Sequence, residues 1–368
     1  MFMISLTHPL THYLNMKNII INLFACSLLL GACVGNNSTI IDSHFHKSEH
    51  LSQQVDFPIS EDSIGRIEGI VCDDNNLIIY DFHTGNSYTL FDAETGEYIS
   101  RFGTIGQGPG EILLGCFGYL SNGNFLVYNN SMSQILGYRM DSLRKEKRPI
   151  PAQRLAKYKL PEMNISRIVP LCDSLYIGGG CHISGSQYAL FDKNGKVLDY
   201  SIDTYNAKDD SFNKFTKYLS NQGDFVKHPH QNKFAYSVNY SSNLDFFEVK
   251  DSKIKQIKLQ RWKNPVLKSV VEGNGTMFSA TPTEKTETGY INICSTSQYL
   301  YALHSEKSLY ENWRKSTTVL VFDWNGSPVK KYILPQETYY IAVNEKLKRL
   351  YAAVKNKESG WSIACYKI

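Results

Sequence analysis

The feature that most constrains this chain is a hairpin unit that recurs. SYTLFDAETGEYISRFG (87–103) reads as an alternating aromatic strand, a Thr-Gly turn and a second strand. The same outline returns as QYALFDKNGKVLDYSI (187–202) and TVLVFDWNGSPVKKYIL (318–334). A unit of this kind that repeats in an all-β chain implies radial or linear repetition.

Six segments share the pattern. The first holds SIGRIEGIVC, LIIYDF, SYTLFDA and EYISRFG; the second GCFGYL, FLVYNN, QILGYRM and a charged strand toward Pro149. The third holds ISRIVPLC, LYIGGG, QYALFDK and KVLDYSI; the fourth FVKHPH, KFAYSVNY, LDFFEVK and IKQIKLQ. The fifth holds YINICST, YLYALHS, TTVLVFDW and PVKKYIL; the sixth YYIAV, KRLYAAVK and GWSIACYKI. Their third strands align on one aromatic: Phe91, Tyr138, Phe191, Phe247, Phe322 and Tyr366, each expected in the packing between sheets. Asp92, Asp192 and Asp323 follow it and suit turn stabilisation better than ligand binding. The spacings, 44 to 75 residues, fit four-stranded blades with loop insertions. The expected fold is all-β, a six-bladed β-propeller.

The sixth segment ends at Ile368 after three strands, which would leave GWSIACYKI as an unpaired edge. LSQQVDFPI (51–59) is the unassigned strand candidate, and it is expected to pair beside residues 360–368 and close the ring. Pro58 suits an outermost strand. The alternative is seven blades or an open ring.

Three segments break the pattern. Residues 205–224 place Phe212, Phe215 and Leu219 on one helical face after Asp209-Asp210-Ser211, a plausible start. Residues 263–289 show no sustained period, and 306–316 splits the fifth segment. Long loops on a rigid frame are where binding residues concentrate, so the first two are expected to crown a binding face; drift on an inert surface is the alternative. Without a low-complexity linker, residues 51–368 read as one domain.

Residues 1–32 read as an export signal. Met16-Lys17 opens a complete one, with an apolar run too short to span a membrane. Leu30-Gly31-Ala32-Cys33 has the form of a lipobox, so cleavage before Cys33 and acylation of that residue are expected, with an ordinary secretory signal as the alternative. Residues 33–50 then form a polar, flexible tether, and the membrane is a partner through the lipid anchor alone. A periplasm-facing anchor is preferred, since Val34-Gly35-Asn36-Asn37 lacks an acidic cluster. The formal charge is +4, one unit of it Lys17, too mild and too dispersed for nucleic acid.

Six cysteines remain beyond Cys26 and Cys33. Cys72, Cys172 and Cys294 each end a first strand in alternate segments, too far apart for a bond, and read as small buried hydrophobes. Cys116, Cys181 and Cys365 leave one bridge open. His228 and His230, with Glu68, are weak metal candidates near the channel; His83, His182 and His304 could join from other blades, but solvent-facing turn residues fit the His pair better. No GxSxG or HExxH occurs, so no catalytic residue and no cofactor is assigned. Gly103, Gly106, Gly108 and Gly110 do not form a dinucleotide loop, because a strand rather than a helix follows. Glu111 is expected to accept bonds from their amides.

At RFGTIGQGPGE (101–111), after LFDAETGEYI, the chain resembles the six-bladed β-propeller lipoproteins of Bacteroidota, a TolB-like and NHL-like group. With Cys33 and the repeats through Ile368, the resemblance covers nearly the whole chain. It implies a lipid-anchored envelope propeller and carries over no catalytic residues. Two function classes stay open. One is a monomeric binding or scaffold protein for a glycan, peptide or protein. The other is a metal-dependent enzyme like the six-bladed lactonases or lyases.

Overall fold

The computed structural model describes residues from 40 onward, except 53, 56, 58, 60–63, 84, 113–117, 130–132, 160–164, 166, 173, 181–184, 206–207, 209–211, 275–276, 312–313 and 357–359. Cys33, Cys116, Cys181, His182, Pro58 and Asp209-Asp210-Ser211 therefore lie outside the described residues. The chain divides into two compact units, Met1–His44 and Phe45–Ile368. In the first, Ile40–His44 forms a short helix, α1.

The second unit is an all-β propeller. Two short strands open it, β1 (Ser48–His50) and β2 (Gln54–Val55). A first sheet follows, β3 (Arg66–Cys72), β4 (Asn76–His83), β5 (Asn86–Asp92) and β6 (Tyr98–Thr104). The second contains β7 (Gly118–Ser121), β8 (Asn124–Asn129), β9 (Gln134–Arg139) and, after helix α2 (Met140–Glu146), β10 (Gln153–Lys157). The third contains β11 (Arg167–Cys172), β12 (Leu175–Gly179), β13 (Ser186–Asp192) and β14 (Val197–Asp203). After helix α3 (Lys214–Ser220), the fourth contains β15 (Gly223–Lys227), β16 (Lys233–Val238), β17 (Asn243–Lys250) and β18 (Lys253–Arg261). Strands β19 (Leu267–Glu272) and β20 (Met277–Pro282) make a two-stranded hairpin. Strands β21 (Tyr290–Ser295), β22 (Tyr299–His304), β23 (Ser316–Asp323), β24 (Pro328–Asn344), β25 (Arg349–Asn356) and β26 (Gly360–Lys367) form one larger sheet, with β2 on β26 and β1 parallel to β24. Its middle strand, β24, is a single run of 17 residues that joins PVKKYIL to YYIAV.

Every four-stranded sheet is an antiparallel meander in sequence order. The six aligned aromatics all fall on third strands, opposite large apolar residues of the second: Leu77, Phe125, Tyr176, Phe234, Leu300 and Leu350. All six are essentially fully buried. They pack across neighbouring sheets, as in Phe102–Tyr138 with centroids 4.9 Å apart and Tyr188–Phe247 at 4.2 Å. Such offset and edge contacts add to the burial itself. The last strands pack on the first sheet in the same way, where Tyr351, Ile363 and Cys365 share a core with Ile70, Leu77, Phe91 and Phe57. First strands neighbour one another: β3 with β7, β11 with β15, β15 with β21, β21 with β24, and β24 with β3.

The strand alternation sorts the connections onto two ends. Turns between first and second and between third and fourth strands lie at one end, and the remaining links at the other. At the first end the Asp side chains bind backbone: Asp92 Oδ1 accepts from Glu94 and Thr95 N–H, Asp192 from Asn194 and Lys196, and Asp323 from Asn325 and Ser327.

Several expectations are corrected. The charged stretch after QILGYRM is helix α2, not a strand, and the fourth strand begins at Gln153. Met140 and Leu143, three apart, are buried on one side of that helix, a helical period that the charges hide. Residues 263–289 are not aperiodic loop: β19 pairs with β20 around Gly273 and Asn274, both with positive φ. Within 205–224 the helix spans Lys214–Ser220 alone, capped by Asn213, whose Oδ1 accepts from Thr216 N–H at 2.9 Å. Cys172 is exposed rather than buried, and all four described cysteines are free.

Candidate functional site

The loop-bearing end gathers the insertions. Helix α3, the β19–β20 hairpin and the 305–315 link all leave strands at this end, and the first two touch. Thr216 Oγ1 and Ser269 Oγ are 3.1 Å apart, Asn213 Nδ2 donates to Ser269 Oγ at 3.4 Å, and Thr216 Oγ1 donates to the Ser279 carbonyl at 3.4 Å. The base of the hairpin is tied down by a Lys263–Glu287 ion pair and by Thr286, which donates to the Val266 carbonyl. Tyr205 Oη donates to the Pro265 carbonyl, and Tyr310 Oη to that of Pro282. Around these polar ties three large apolar side chains stay exposed: Val266, Val271 (54%) and Tyr310 (69%).

Beneath this crown, the starts of the first strands bring charge together. Arg66 Nε pairs with Glu68 at 2.5 Å, and Arg167 with Asp224 at 3.6 Å. Tyr340 Oη donates to Glu68 Oε2 at 3.4 Å. Burial pushes the Tyr340 phenol up to about 12, with Arg314 opposing and Glu68 and Asp224 adding to the rise. Those four side chains, from two sheets, a loop and β24, thus share one electrostatic neighbourhood. Deeper, His304 is buried and its Nε2 lies 3.0 Å from Ser242 Oγ; burial alone pushes its imidazole down to about 3.

The metal candidates named from sequence separate. Glu68 lies near the start of β3, at the loop-bearing end. His228 follows the end of β15, at the other. Its Nδ1 accepts from the N–H groups of His230 and Gln231 at 3.0 and 3.1 Å, so that nitrogen's lone pair is already used. Its ring packs on Trp324, 4.9 Å away, and burial lowers its affinity for a proton. Among the described residues no group of three or more His, Cys, Asp or Glu is placed to hold a metal. Glu111 accepts from Gly108 N–H at 2.7 Å, and a Cβ at Gly106 would meet Glu111 Oε2 at 1.9 Å, which explains the glycine there.

Sequence reasoning missed two polar sites. At the short-turn end, a cavity of about 610 Å³ lies between the first two sheets, walled by Asp73, Asn76, Asn124, Arg139 and Arg144. Arg144 reaches across to Asp92 at 2.7 Å and to the Asn75 carbonyl at 2.9 Å. At the loop-bearing end, Tyr290, Asn239 and Arg314 border a smaller cavity of about 100 Å³. The excursion at 306–316 was a signal for Arg314; nothing in the sequence marked the other two.

A family model described as TolB-like 6-blade propeller-like matches residues 69–346. Among solved structures, the chain is similar to a DUF4221 member from Bacteroides vulgatus, at 13% identity and a TM-score of 0.49, covering 86% of this chain and 97% of that one. It is also similar to an exported-protein candidate from Bacteroides fragilis, at 12% identity and a TM-score of 0.46, covering 90% and 96%. A third is the β-propeller domain of Cps50 from Myceliophteria thermophila, at 10% identity and a TM-score of 0.43, covering 86% and 99%. No curated protein matches the chain. Among the described residues, no helix is long and apolar enough to cross a membrane.

Proposed function

We propose, on the premise that this chain belongs to the TolB-like 6-blade propeller-like family, that it is a six-bladed binding or scaffold protein of the cell envelope. In this reading the larger sheet is two blades, and β24 serves as outer strand of the fifth and inner strand of the sixth. The pairing of Gln54 and Val55 with Tyr366 and Cys365 supports closure of the last blade by the N-terminal strand. Acylation at Cys33 would hold the protein at the membrane, with a polar segment between anchor and propeller. Mass spectrometry of membrane-extracted protein tests that: an acylated N-terminal Cys33 is expected, and an unmodified soluble protein overturns it.

The binding role rests on one observation. Two separate insertions, α3 and the β19–β20 hairpin, are bonded to one another and present exposed Val266, Val271 and Tyr310 beside them. Loops and insertions carried on a rigid frame are where binding residues concentrate. The partner class is a glycan, a peptide or a protein. Glycan and peptide arrays probed with the wild type and with a variant in which residues 267–282 are replaced by a short Gly-Ser link test the reading. Binding lost in a variant that still folds is expected. Binding that survives the replacement, or a variant that unfolds, overturns it.

A further inference from the structure

We infer that the small cavity at the loop-bearing end is a site for a small carboxylate carrying a hydrogen-bond donor on the neighbouring carbon, a 2-hydroxy or 2-amino acid of two or three carbons. It goes beyond partner holding by the hairpin and does not depend on it.

The walls supply complementary unmet chemistry. Tyr290 is 1% exposed, and its phenol oxygen has no hydrogen-bond partner in the protein. Asn239 Oδ1, on the same cavity, has none either. Leaving such groups unpaired is costly, so a site with two of them favours a molecule that answers both. Tyr290 offers an O–H: burial, with Glu306 adding, pushes its ionisation far above the neutral range and keeps the proton in place. Asn239 offers only an acceptor at that atom. Arg314, also on the wall, offers a cation with several donors. An anion accepting from Arg314 and Tyr290 satisfies two of these groups, and an adjacent N–H or O–H satisfies the third. Ile291 and Leu309 add apolar surface for a short carbon skeleton, and Gln222, Tyr240 and Thr288 line the rest. About 100 Å³ is the room of roughly three waters at ~30 Å³ each, which suits five or six heavy atoms and excludes a sugar ring.

The cavity is also held in shape. Gly289 N–H donates to the Asn239 carbonyl at 2.8 Å, Ser305 N–H to Gly289 at 3.0 Å, and Leu309 N–H to Thr286 at 2.9 Å. A Cβ at Gly289 would sit 1.9 Å from the Ser241 carbonyl oxygen, so only glycine allows this crossing of chains. The Tyr290 ring is fixed against His304 with centroids 4.7 Å apart. A site whose walls are already ordered loses little freedom on binding.

The test is isothermal titration of the full-length, detergent-solubilised protein with glycolate and with glycine. Acetate, which lacks the second donor, and ethanolamine, which lacks the carboxylate, are the controls. Binding of glycolate, glycine or both is expected, in roughly the micromolar-to-millimolar range for so few atoms; which of the two binds assigns the donor as hydroxyl or ammonium. Acetate should bind about tenfold more weakly and ethanolamine not at all. Arg314→Gln, at an exposed position, should lose about tenfold or more, and Tyr290→Phe several-fold. Replacing residues 267–282 should leave these affinities unchanged, which separates this site from the hairpin's role. No binding of either acid, binding indifferent to Arg314→Gln, or a crystal soaked in both acids that shows ordered water only would overturn the inference.

Discussion

The two ends of the propeller are built on different principles. At one, Asp73, Asp92, Asp192 and Asp323 each spend their carboxylate on the backbone N–H groups of a short turn. At the other, the chain departs for α3, the hairpin and the 305–315 link, and the carboxylates Glu68 and Asp224 face cations rather than turns. Local side-chain bonds hold each of these turns from within, and neighbouring turns are then stitched together, as by Asn344 Nδ2 to the Asp73 carbonyl at 2.8 Å and Ser297 N–H to Glu345 at 2.8 Å. The second end depends on contacts distant in sequence, such as Thr216 with Ser269. A blade frame fixed at one end leaves the other free to carry insertions. Helix α2 is the exception, an insertion at the short-turn end, and it is pinned by Arg144 to Asp92 of the neighbouring sheet.

If the frame carries the stability, its strongest single dependence is the N-terminal strap. Ser48–His50 runs along β24, Gln54–Val55 along β26, and Leu51 and Phe57 are buried, Phe57 against Tyr351 at 5.2 Å. Burying two such side chains contributes about 5 kcal/mol before any strand pairing is counted. Removal of residues 45–59 should therefore lower the unfolding free energy by at least that much in a urea titration. A truncated protein with the wild-type midpoint would mean that the ends of the chain do not hold the frame.

The next effect lies under the loop-bearing end, at His304. Its folded pKa, about 3, is below the ordinary value of 6.5, so in this window the unfolded chain binds the proton and the folded one does not. Stability is then complete above pH 6.5 and falls as the pH drops toward 3. Between pH 6.5 and 5 the loss is roughly 2 kcal/mol at ~1.4 kcal/mol per unit. His304→Gln retains an amide to meet Ser242 and should remove that slope. Equal slopes in the two proteins would show that the imidazole is not sealed from water.

How much of this was legible follows from the same contrast. The strand frame was, because an aromatic at a constant place in each third strand is both the sequence signal and the packing unit: Phe91, Tyr138, Phe191, Phe247, Phe322 and Tyr366 are all buried. The Asp turns were legible too, since Asp92 and its partners Glu94 and Thr95 are adjacent in sequence. The hairpin was not, because Leu267–Glu272 and Met277–Pro282 lack the aromatic alternation of a blade and lean on α3 through Ser269. Neither was the small cavity, whose walls come from residues 222 to 314 and meet only after folding. His228 reads from sequence as a solvent-facing turn residue in preference to a ligand, and half of that holds: its ring nitrogen caps the turn, but packing on Trp324 leaves the residue only 4% exposed.

A smaller effect measures the short turns themselves. Asp92 accepts two turn N–H groups, the Thr95 hydroxyl at 3.2 Å and Arg144, whereas Asp192 accepts only turn N–H groups. Asp92→Ala should cost about 2 kcal/mol and Asp192→Ala about 1 kcal/mol. The difference belongs to Arg144 and should shrink in 1 M salt, since that half-buried pair is partly screened. Equal costs would mean that α2 is not anchored by Asp92.

The smallest effect is the sharpest test of the division between the ends. Val271 sits on β19 with 54% of its surface exposed, and its backbone is paired to Phe278 whatever side chain it carries. Val271→Lys removes a β-branched residue but buries no charge, so the stability change should stay within about 0.5 kcal/mol. The same substitution places a cation on the exposed surface of the hairpin, and partner binding on an array should fall with no change in melting temperature. A loss above about 1 kcal/mol would instead put Val271 in the packed frame. The loop-bearing end would then be as much a structural element as the Asp turns opposite it, and the contrast between the two ends would fail.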